Sequence, residues 1–438
     1  MENLKNIVNF FNNILWNKNL LVVILIGAGI FFSWKTKFVQ IRLLKHMMKL
    51  LMEKSQGDDQ NISSFQAFCI STATRVGVGN LAGVVSAISI GGAGSIFWMW
   101  IVALLGASTA FIETTLAVIF REKDGNGNFN GGPAFYLKNG LGMKKTGVIF
   151  VITGIICWGG VLQIVSNSVS ESFYVAFNID PKIMTIFLVI LSASVLFGKK
   201  DKIANVLDKI VPIMATLYLV VVFFIIFKNI TLIPSVIKDI VSQAFGIKQG
   251  IGGAFGAIVM QGVKRGLFSN EAGTGSAPCA AAAANVSHPV KQGLIQSLGV
   301  FVDTFVICTA TGMVVLLTEP SAISKFNGME LLQSAFKFHI GDFGGIFIAI
   351  ILFLFSFSTL LGICFYGKTN LIFLSKKQWP QELFKIFALS MIFIGGIEQN
   401  IFMWNLADFG LGLMTIVNMI AIFPLHKVAI SSLEEYSN

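Results

Sequence analysis

The 438 residues are 55% hydrophobic and 12% charged, with 41 phenylalanines and a mean hydropathy of +0.77. Soluble domains carry about 25% charged residues, so this composition excludes an ordinary soluble fold and reads as a polytopic membrane protein. The net charge of +10 lies in short segments between apolar runs with no basic stripe of interleaved aromatics, which makes it a signal for membrane orientation rather than a nucleic-acid footprint.

Taken in chain order at about 20 apolar residues per crossing, the predicted spans are eleven: 19–34, 62–90, 95–120, 145–175, 181–198, 203–228, 250–285, 292–318, 343–366, 382–397 and 402–424. The first lacks a small-residue cleavage site and is followed by the basic segment "KTKFVQIRLLKHMMKLLMEK", so it is read as a retained span. If the amino terminus is outside, the inner loops collect Lys35, Lys37, Arg42, Lys45, Lys49 and Lys54. Further along they collect Arg121, Lys123, Lys138, Lys144 and Lys145, then Lys199, Lys200 and Lys202, then Lys291, then Lys368, Lys376, Lys377 and Lys385, and finally Lys427. The outer loops, with residues such as Lys238 and Lys248, hold far fewer, and the carboxyl terminus is expected in the cytoplasm. Segments 232–245 and 329–340 are too short and polar to cross and are expected to lie at the outer surface. The glycine-rich stretch 124–142 is expected to be a cytoplasmic loop.

The second and seventh spans are the longest and are interrupted by glycine, asparagine and charge. They contain "RVGVGNLAG" (75–83) and "RGLFSNEAG" (265–273), both of the form R-x4-N-x-A-G at an offset of 190 residues. Five predicted spans follow from each start, 62–228 and 250–424, and an odd number makes the halves enter from opposite sides. The chain is therefore expected to be an inverted repeat, preceded by an extra span and basic loop (1–61), joined by an outer connector (229–249) and closed by a cytoplasmic tail (425–438). Interrupted spans at matching places in two halves mark the binding site of secondary transporters, because a broken helix leaves backbone groups that hydrocarbon cannot satisfy.

At the first break, Gly77 and Gly79 let the chain leave the helix. The half-helix starting near Asn80 aims its amides at the gap, where a carboxylate is favoured, and carbonyls near Ala73 to Val76 suit an alkali cation or an ammonium group. Ser358 and Thr359 add neighbouring hydroxyls, a hard oxygen set fit for an alkali ion. The second break is expected between Lys264 and Asn270. The candidate substrate set is Thr74, Gly77, Gly79, Asn80, Gln163, Asn167, Asn270, Gly273 and Thr274, with Phe268 or Trp158 excluding large side chains. Arg75, Arg265, Glu271 and Asp303 are expected to form ion pairs across the broken helices that lock or gate the site, since unpaired charges are costly in a bilayer. Proton carrying by Glu113 or Asp303 is the lesser alternative. Five cysteines without a CxxC pair and four scattered histidines indicate neither disulfides nor a metal cofactor. The absence of HExxH and GxSxG argues against an enzyme.

Six segments carry a resemblance: "TRVGVGNLAGV" (74–84), "GGPAFYL" (131–137), "KRGLFSNEAGTGSAP" (264–278), "GVFVDTFVICTATG" (299–312), "FSFSTLLG" (355–362) and "WNLADFGLGLM" (404–414). Together they resemble the alanine or glycine:cation symporter family along nearly the whole chain. The resemblance implies an all-α LeuT-type fold, a five-plus-five inverted repeat of ten core helices with one extra amino-terminal helix. It further implies sodium-coupled import of alanine or glycine in a prokaryotic cell membrane. It places the carbonyls of Ala73 and Val76 with Ser358 and Thr359 around sodium, and the substrate carboxylate at Gly77 to Asn80. One departure stands out: the family tends toward "VQANSI", whereas this chain reads "IVSNSV" with Val165 in place of the glutamine. Proton coupling, or a channel or receptor using the same break, are the alternatives. No cofactor or nucleic-acid partner is implied beyond the coupling ion and the bilayer, and a monomer is compatible with all of this.

Overall fold

A computed structural model describes residues 2–53, 62–124, 127–198, 202–246, 253–398 and 402–437. The charges Lys54, Lys199, Lys200 and Lys248, and the boundaries at 61 and 249–250, lie outside the described residues. Among the described residues seven helices are long and apolar enough to cross a membrane, or nine if two bent pairs are each taken as one span. The predicted count of eleven is therefore not reached on length and composition. Pro181–Leu196 is apolar but has only 16 residues, and the second broken helix, with Lys264 and Arg265 in it, does not meet the apolar criterion.

Three boundaries differ from the sequence reading for local physical reasons. The first span, Leu20–Lys35, is preceded by a further helix, Glu2–Asn12, which continues through a π-helical turn, Asn13–Asn17, and meets the span at 43°. The stretch 124–142 is not a loop throughout. Glu122–Lys123 pairs antiparallel with Phe129–Asn130, and Pro133 then starts the helix Pro133–Leu141, where a proline at the first turn costs no hydrogen bond. The final helix does not stop at 424 but runs Phe402–Ser437 through Pro424, burying Leu425, Ala429 and Leu433 beyond it. Residues 425–437 are thus part of that helix rather than a separate tail.

Burial sorts the spans into layers. Asp342–Leu374 has 78% of its apolar window buried, whereas Ile203–Lys228 and Trp379–Ile397 have 28% each. The first is therefore central, and the other two turn apolar side chains such as Val220, Phe223 and Phe227 outward, as a lipid-facing wall requires. Close approach between Lys144–Phe177 and Phe402–Ser437 depends on glycines on both. A Cβ on Gly160 would lie 2.7 Å from the Ala407 nitrogen, and one on Gly410 would lie 2.5 Å from Cys157 Cα, the small-residue contact typical of membrane helices.

The two broken helices run in opposite directions. Ser64–Arg75 opens with a reciprocal cap in which Ser63 Oγ accepts from the Gln66 amide and Gln66 Oε1 accepts from the Ser63 amide, each 3.1 Å; this satisfies two orphan donors. Gly253–Asn270 starts at the other end of the molecule, where Phe255 packs on Trp98 and Trp98 donates to the Ala244 carbonyl. The second broken span finishes beside the start of the first, with the Asn285 amide bonded to the Ile62 carbonyl at 2.9 Å. Arg121 closes the end of Ala277–Ala281 by donating to the Ala282 and Ala284 carbonyls at 3.1 and 2.5 Å, the favoured role of a cation at a helix C-terminus.

Substituting Gly410 by valine should overpack the contact with Cys157 and destabilise the fold by about 1–3 kcal/mol. A lower midpoint of thermal unfolding in detergent, relative to wild type, is the expected readout.

Candidate functional site

The first break falls at Val76 to Val78, where Ser64–Arg75 ends and the chain resumes through the π-helical turn Gly79–Gly83 into Val84–Gly91, bent by 46°. The reason for glycine at 77 is contact rather than dihedral freedom, since a Cβ there would sit 2.4 Å from Thr359 Oγ1. Thr359 is buried and its hydroxyl lies 2.8 Å from both the Ala73 and the Phe355 carbonyls. The central helix therefore meets the first break through one hydroxyl and one freed carbonyl. Ser358 takes a neighbouring direction, with its hydroxyl on the Phe355 carbonyl at 2.8 Å and on Met214 Sδ at 3.4 Å.

Asn80 turns inward rather than toward open space. Its Oδ1 accepts from the Gly77 amide at 2.9 Å and its Nδ2 donates to Asp303 Oδ1 at 2.6 Å. Asp303 also accepts from Ser269 Oγ at 2.8 Å and Thr304 Oγ1 at 3.0 Å. It lies in the π-helical turn Val302–Cys308 within the span Pro289–Leu316, so one carboxylate joins both broken helices to a third element.

The second break is later than the sequence suggests. The helix runs unbroken through Lys264 and Arg265 to Asn270, and the irregular segment is Glu271 to Ser276. Glu271, Gly273 and Gly275 have φ of 56°, 87° and 82°, values that a Cβ disfavours and that explain two glycines spaced by one residue. The letter match between the two spans is consequently not a match of the breaks, because Asn80 follows its break whereas Asn270 precedes its own. Asn270 Oδ1 accepts from the Ala272 amide at 3.0 Å. Thr274 donates to the Glu271 carbonyl at 2.8 Å and accepts from the Ser276 amide at 3.2 Å, so both fold the irregular segment upon itself.

The partner of this segment is Glu113, a fully buried carboxylate in Gly94–Ile119. It accepts from the Gly273 and Gly275 amides at 3.0 and 3.1 Å and from Asn418 Nδ2 at 2.6 Å. Asn418 also donates to the Gly273 carbonyl at 2.9 Å and accepts from the Tyr136 hydroxyl. Sequence reading notes Glu113 as a charge in a membrane helix and as the lesser alternative of a proton carrier. The signal for its real neighbours, two non-adjacent glycine amides 160 and 162 residues away, is invisible without the fold.

Between the breaks lies a narrow cavity lined by Thr74, Val78, Gly79, Cys157, Trp158, Val161, Val165, Phe268, Glu271, Ser276, Thr359, Ile363 and Leu411. Thr74, Gly79, Glu271 and Thr359 are brought together there from the sequence set, along with Trp158, Phe268 and the divergent Val165. Gln163 and Asn167 are directed elsewhere, Gln163 to the Gly159 carbonyl and Met391 Sδ, and Asn167 to the Glu398 carbonyl. Cys157, Val161, Ile363 and Leu411 are apolar wall residues that sequence alone cannot tell from core.

The expected ion pairs across the broken helices are absent among the described residues. Arg75 is buried and donates to the Gln296 side chain and carbonyl at 3.1 and 3.2 Å, with room made by Gly299, whose Cβ would lie 2.3 Å from Arg75 Nη1. Arg265 instead approaches Asp408 of the last helix at 3.7 Å, beside the shorter Lys264–Asp408 pair at 2.6 Å. Its guanidinium lies 4.5 Å from the centre of the Trp404 ring, and that ring packs on Phe268 at 5.3 Å. The physical reason is the late break: Arg265 sits on a regular helix one turn above Phe268 and faces the last helix. Cations and aromatics thus close one end of the cavity, while the broken helices are linked through Asp303 and directly by the hydrogen bond from Thr74 Oγ1 to Glu271 Oε2 at 3.2 Å.

Two antiparallel broken helices facing a small cavity beneath an aromatic and ionic closure define a secondary transporter of the LeuT type, built into a multi-pass membrane bundle. In overall structure the chain is similar to MhsT, crystallised in complex with L-phenylalanine, at a TM-score of 0.60 and 13% identity, covering 84% of this chain and 90% of that one. The model of the sodium:alanine symporter family matches residues 1–438, and the chain belongs to that family. It is 45% identical to the "Probable sodium/glutamine symporter GlnT" of Bacillus subtilis, over 99% of this chain and 91% of the relative. It is also 36% identical to the "Sodium/alanine symporter AgcS" of Methanococcus maripaludis, over 99% and 97%. The protein is a transporter and not an enzyme, of the sodium-coupled amino-acid symporter class.

Replacing Glu113 by glutamine leaves one good acceptor and sets an NH2 group against a backbone donor, so at least one buried amide loses its partner. Each such loss costs about 1–3 kcal/mol. E113Q should therefore unfold at lower temperature than wild type, by a margin that E113D, which keeps both oxygens, reduces.

Proposed function

We propose that this chain imports a small neutral amino acid, alanine or glycine, together with sodium, by alternating access around the two breaks. The observation that carries the reading is the meeting of the Thr359 hydroxyl with the Ala73 carbonyl directly over Gly77, at the edge of the cavity that Thr74 and Gly79 also line. Oxygens from a broken helix and an intact one, in a dry interior, suit an alkali cation. Ala73, Val76 and Thr359 would hold sodium, with Ser358 reaching it by turning from Met214.

Sodium there ties the first break to the central helix, and the residue after Ala73 is the cavity threonine. Binding of ion and substrate is then linked, because each orders backbone that the other uses. The amide-bearing start of the resumed helix at Val78 and Gly79 favours the substrate carboxylate. Trp158, Val161, Val165, Ile363 and Leu411 form a mostly apolar wall for its side chain, which suits alanine. Phe268 and Trp404, held by Arg265, Lys264 and Asp408, act as the gate. The amino terminus is placed outside and the carboxyl terminus in the cytoplasm, as the basic loops direct.

Uptake of labelled alanine into proteoliposomes should require an inward sodium gradient. Uptake that ignores sodium, or that a proton uncoupler alone abolishes, would sink the reading. Within that assay, Thr359→Ala should raise the sodium concentration for half-maximal uptake by about tenfold or more, the scale of one lost ligand to a charge; an unchanged sodium requirement removes Thr359 from the site.

A further inference from the structure

A second cavity, of about 600 Å³, lies toward the inner end of the molecule, whereas the one between the breaks has about 30 Å³, room for roughly two waters. The same three elements wall both. The first broken helix gives Thr74 to the cavity between the breaks, and Ile62, just before its start, lines the inner one. The second gives Ser276 and then Ala283, and the central helix gives Thr359 and Ile363 and then Phe365 and Thr369. Asn130 and Lys138 add polar groups to the inner wall, and Lys123 and Lys376 line it while exposed, so it opens at that surface. Its size is that of a small-molecule site.

Between the two cavities stands Tyr366, fully buried and three residues from both Ile363 and Thr369 on the central helix, a spacing that keeps all three on one side. Its hydroxyl lies 2.8 Å from Thr74 Oγ1 and 3.5 Å from Glu271 Oε2, and its ring centre is 6.2 Å from that of Trp158. The Thr74 proton goes to Glu271, so Tyr366 donates to Thr74, and one side chain of the intact helix closes on both breaks. One turn further, Asn370 donates to Cys279 Sγ at 3.2 Å and ties the same helix to Ala277–Ala281. A ring that only packed would need no hydroxyl, which in a dry interior is costly unless bonded; here it is bonded to the two interrupted elements.

Resting on the amino-acid symport reading, we propose that the inner cavity is the vestibule through which a small zwitterion leaves for the cytoplasm, and that Tyr366 is the gate between it and the substrate cavity. Release requires Thr74 to part from Tyr366. The bond joins separate elements, so a shift of Ser64–Arg75 against a stationary central helix breaks it, and a single hydrogen bond of modest net worth can be broken and remade in every cycle. The polar wall beneath then hydrates a solute that the mostly apolar cavity above does not.

Native Cys157, which lines the substrate cavity, serves as reporter in the full-length protein in vesicles of known sidedness. A membrane-impermeant cationic methanethiosulfonate is applied from one face at a time, and the modified cysteines are read by mass spectrometry. In wild type Cys157 should react slowly from the inner face, whereas in Phe365→Cys the thiol on the vestibule wall should react readily from that face. In Tyr366→Ala the rate at Cys157 should rise about tenfold or more, from the inner face alone, the scale of a lost hydrogen bond. Y366F, which keeps the ring, should give a smaller rise, and Cys308, buried beside Ser269, should stay protected in both. An unchanged rate at Cys157 in Tyr366→Ala, a rise from both faces or together with Cys308, or a Phe365→Cys thiol that does not react from the inner face, overturns the assignment. If Tyr366→Ala does not fold, Y366F and Phe365→Cys decide, and an unchanged Cys157 rate in Y366F overturns the gate. Wild-type alanine uptake that ignores sodium counts against the symport reading instead and leaves the labelling pattern as it is, so the two failures are separable.

Discussion

The constraint on which the rest of this structure depends is that a helix interrupted within hydrocarbon must find partners for the amides and carbonyls it frees. The two breaks answer it differently. At the first, Asn80 supplies an acceptor for Gly77 from three residues along the same segment. At the second, the acceptor is Glu113 on another helix, and it serves two amides at once. The first break therefore finds one partner within its own segment and is tied through Asn80 to Asp303, and the other is tied through Glu113 and Asn418 to Gly94–Ile119 and to the last helix.

This anchoring bears on motion. Each break is held by a buried carboxylate, Asp303 at the first and Glu113 at the second, and moves with the helix that carries its clamp. Thr359 on the Ala73 carbonyl and Thr74 on Glu271 are single hydrogen bonds, the kind of contact that an ion or a substrate can replace at modest cost. The Lys264–Asp408 pair with Arg265 and Trp404 is more heavily built. In the proposed cycle the weak links lie where ligands bind and the stronger one where the cavity closes.

The sequence made legible whatever depends on composition or on glycine. The membrane class, most spans, the first break at Gly77 to Gly79 and the meeting of Thr359 with Ala73 all follow from residue type, spacing or family likeness. What it missed depends on direction. Arg265 and Glu271 are six residues apart in a charged stretch, and nothing in the letters says that one faces the last helix and the other the cavity. Gln163 and Val165 are two positions apart on one helix, roughly 200° around it at 3.6 residues per turn, so polarity points to Gln163 while the cavity receives Val165. The R-x4-N-x-A-G match was real as letters and misleading as geometry, because Asn80 and Asn270 cap opposite sides of their breaks. The segment 425–438 is expected to be a tail, yet Leu425, Ala429 and Leu433 repeat at four-residue spacing and bury one face of the last helix.

The polar groups of the cavity divide between the two broken helices in a way that matters for coupling. The first contributes dipoles and neutral oxygens, Thr74, Gly79 and the freed carbonyl of Ala73, and the second contributes the carboxyl group of Glu271. In the proposed cycle a cation at Ala73 and Thr359 and a zwitterion between the breaks add one net positive charge to a region that already holds a buried carboxylate. The substrate carboxylate gains from the nearby ion as well as from the helix end, and the ion gains from the carboxylate. Each lowers the cost of the other, and this mutual dependence is what a symporter needs if it is to move the two together and neither one alone.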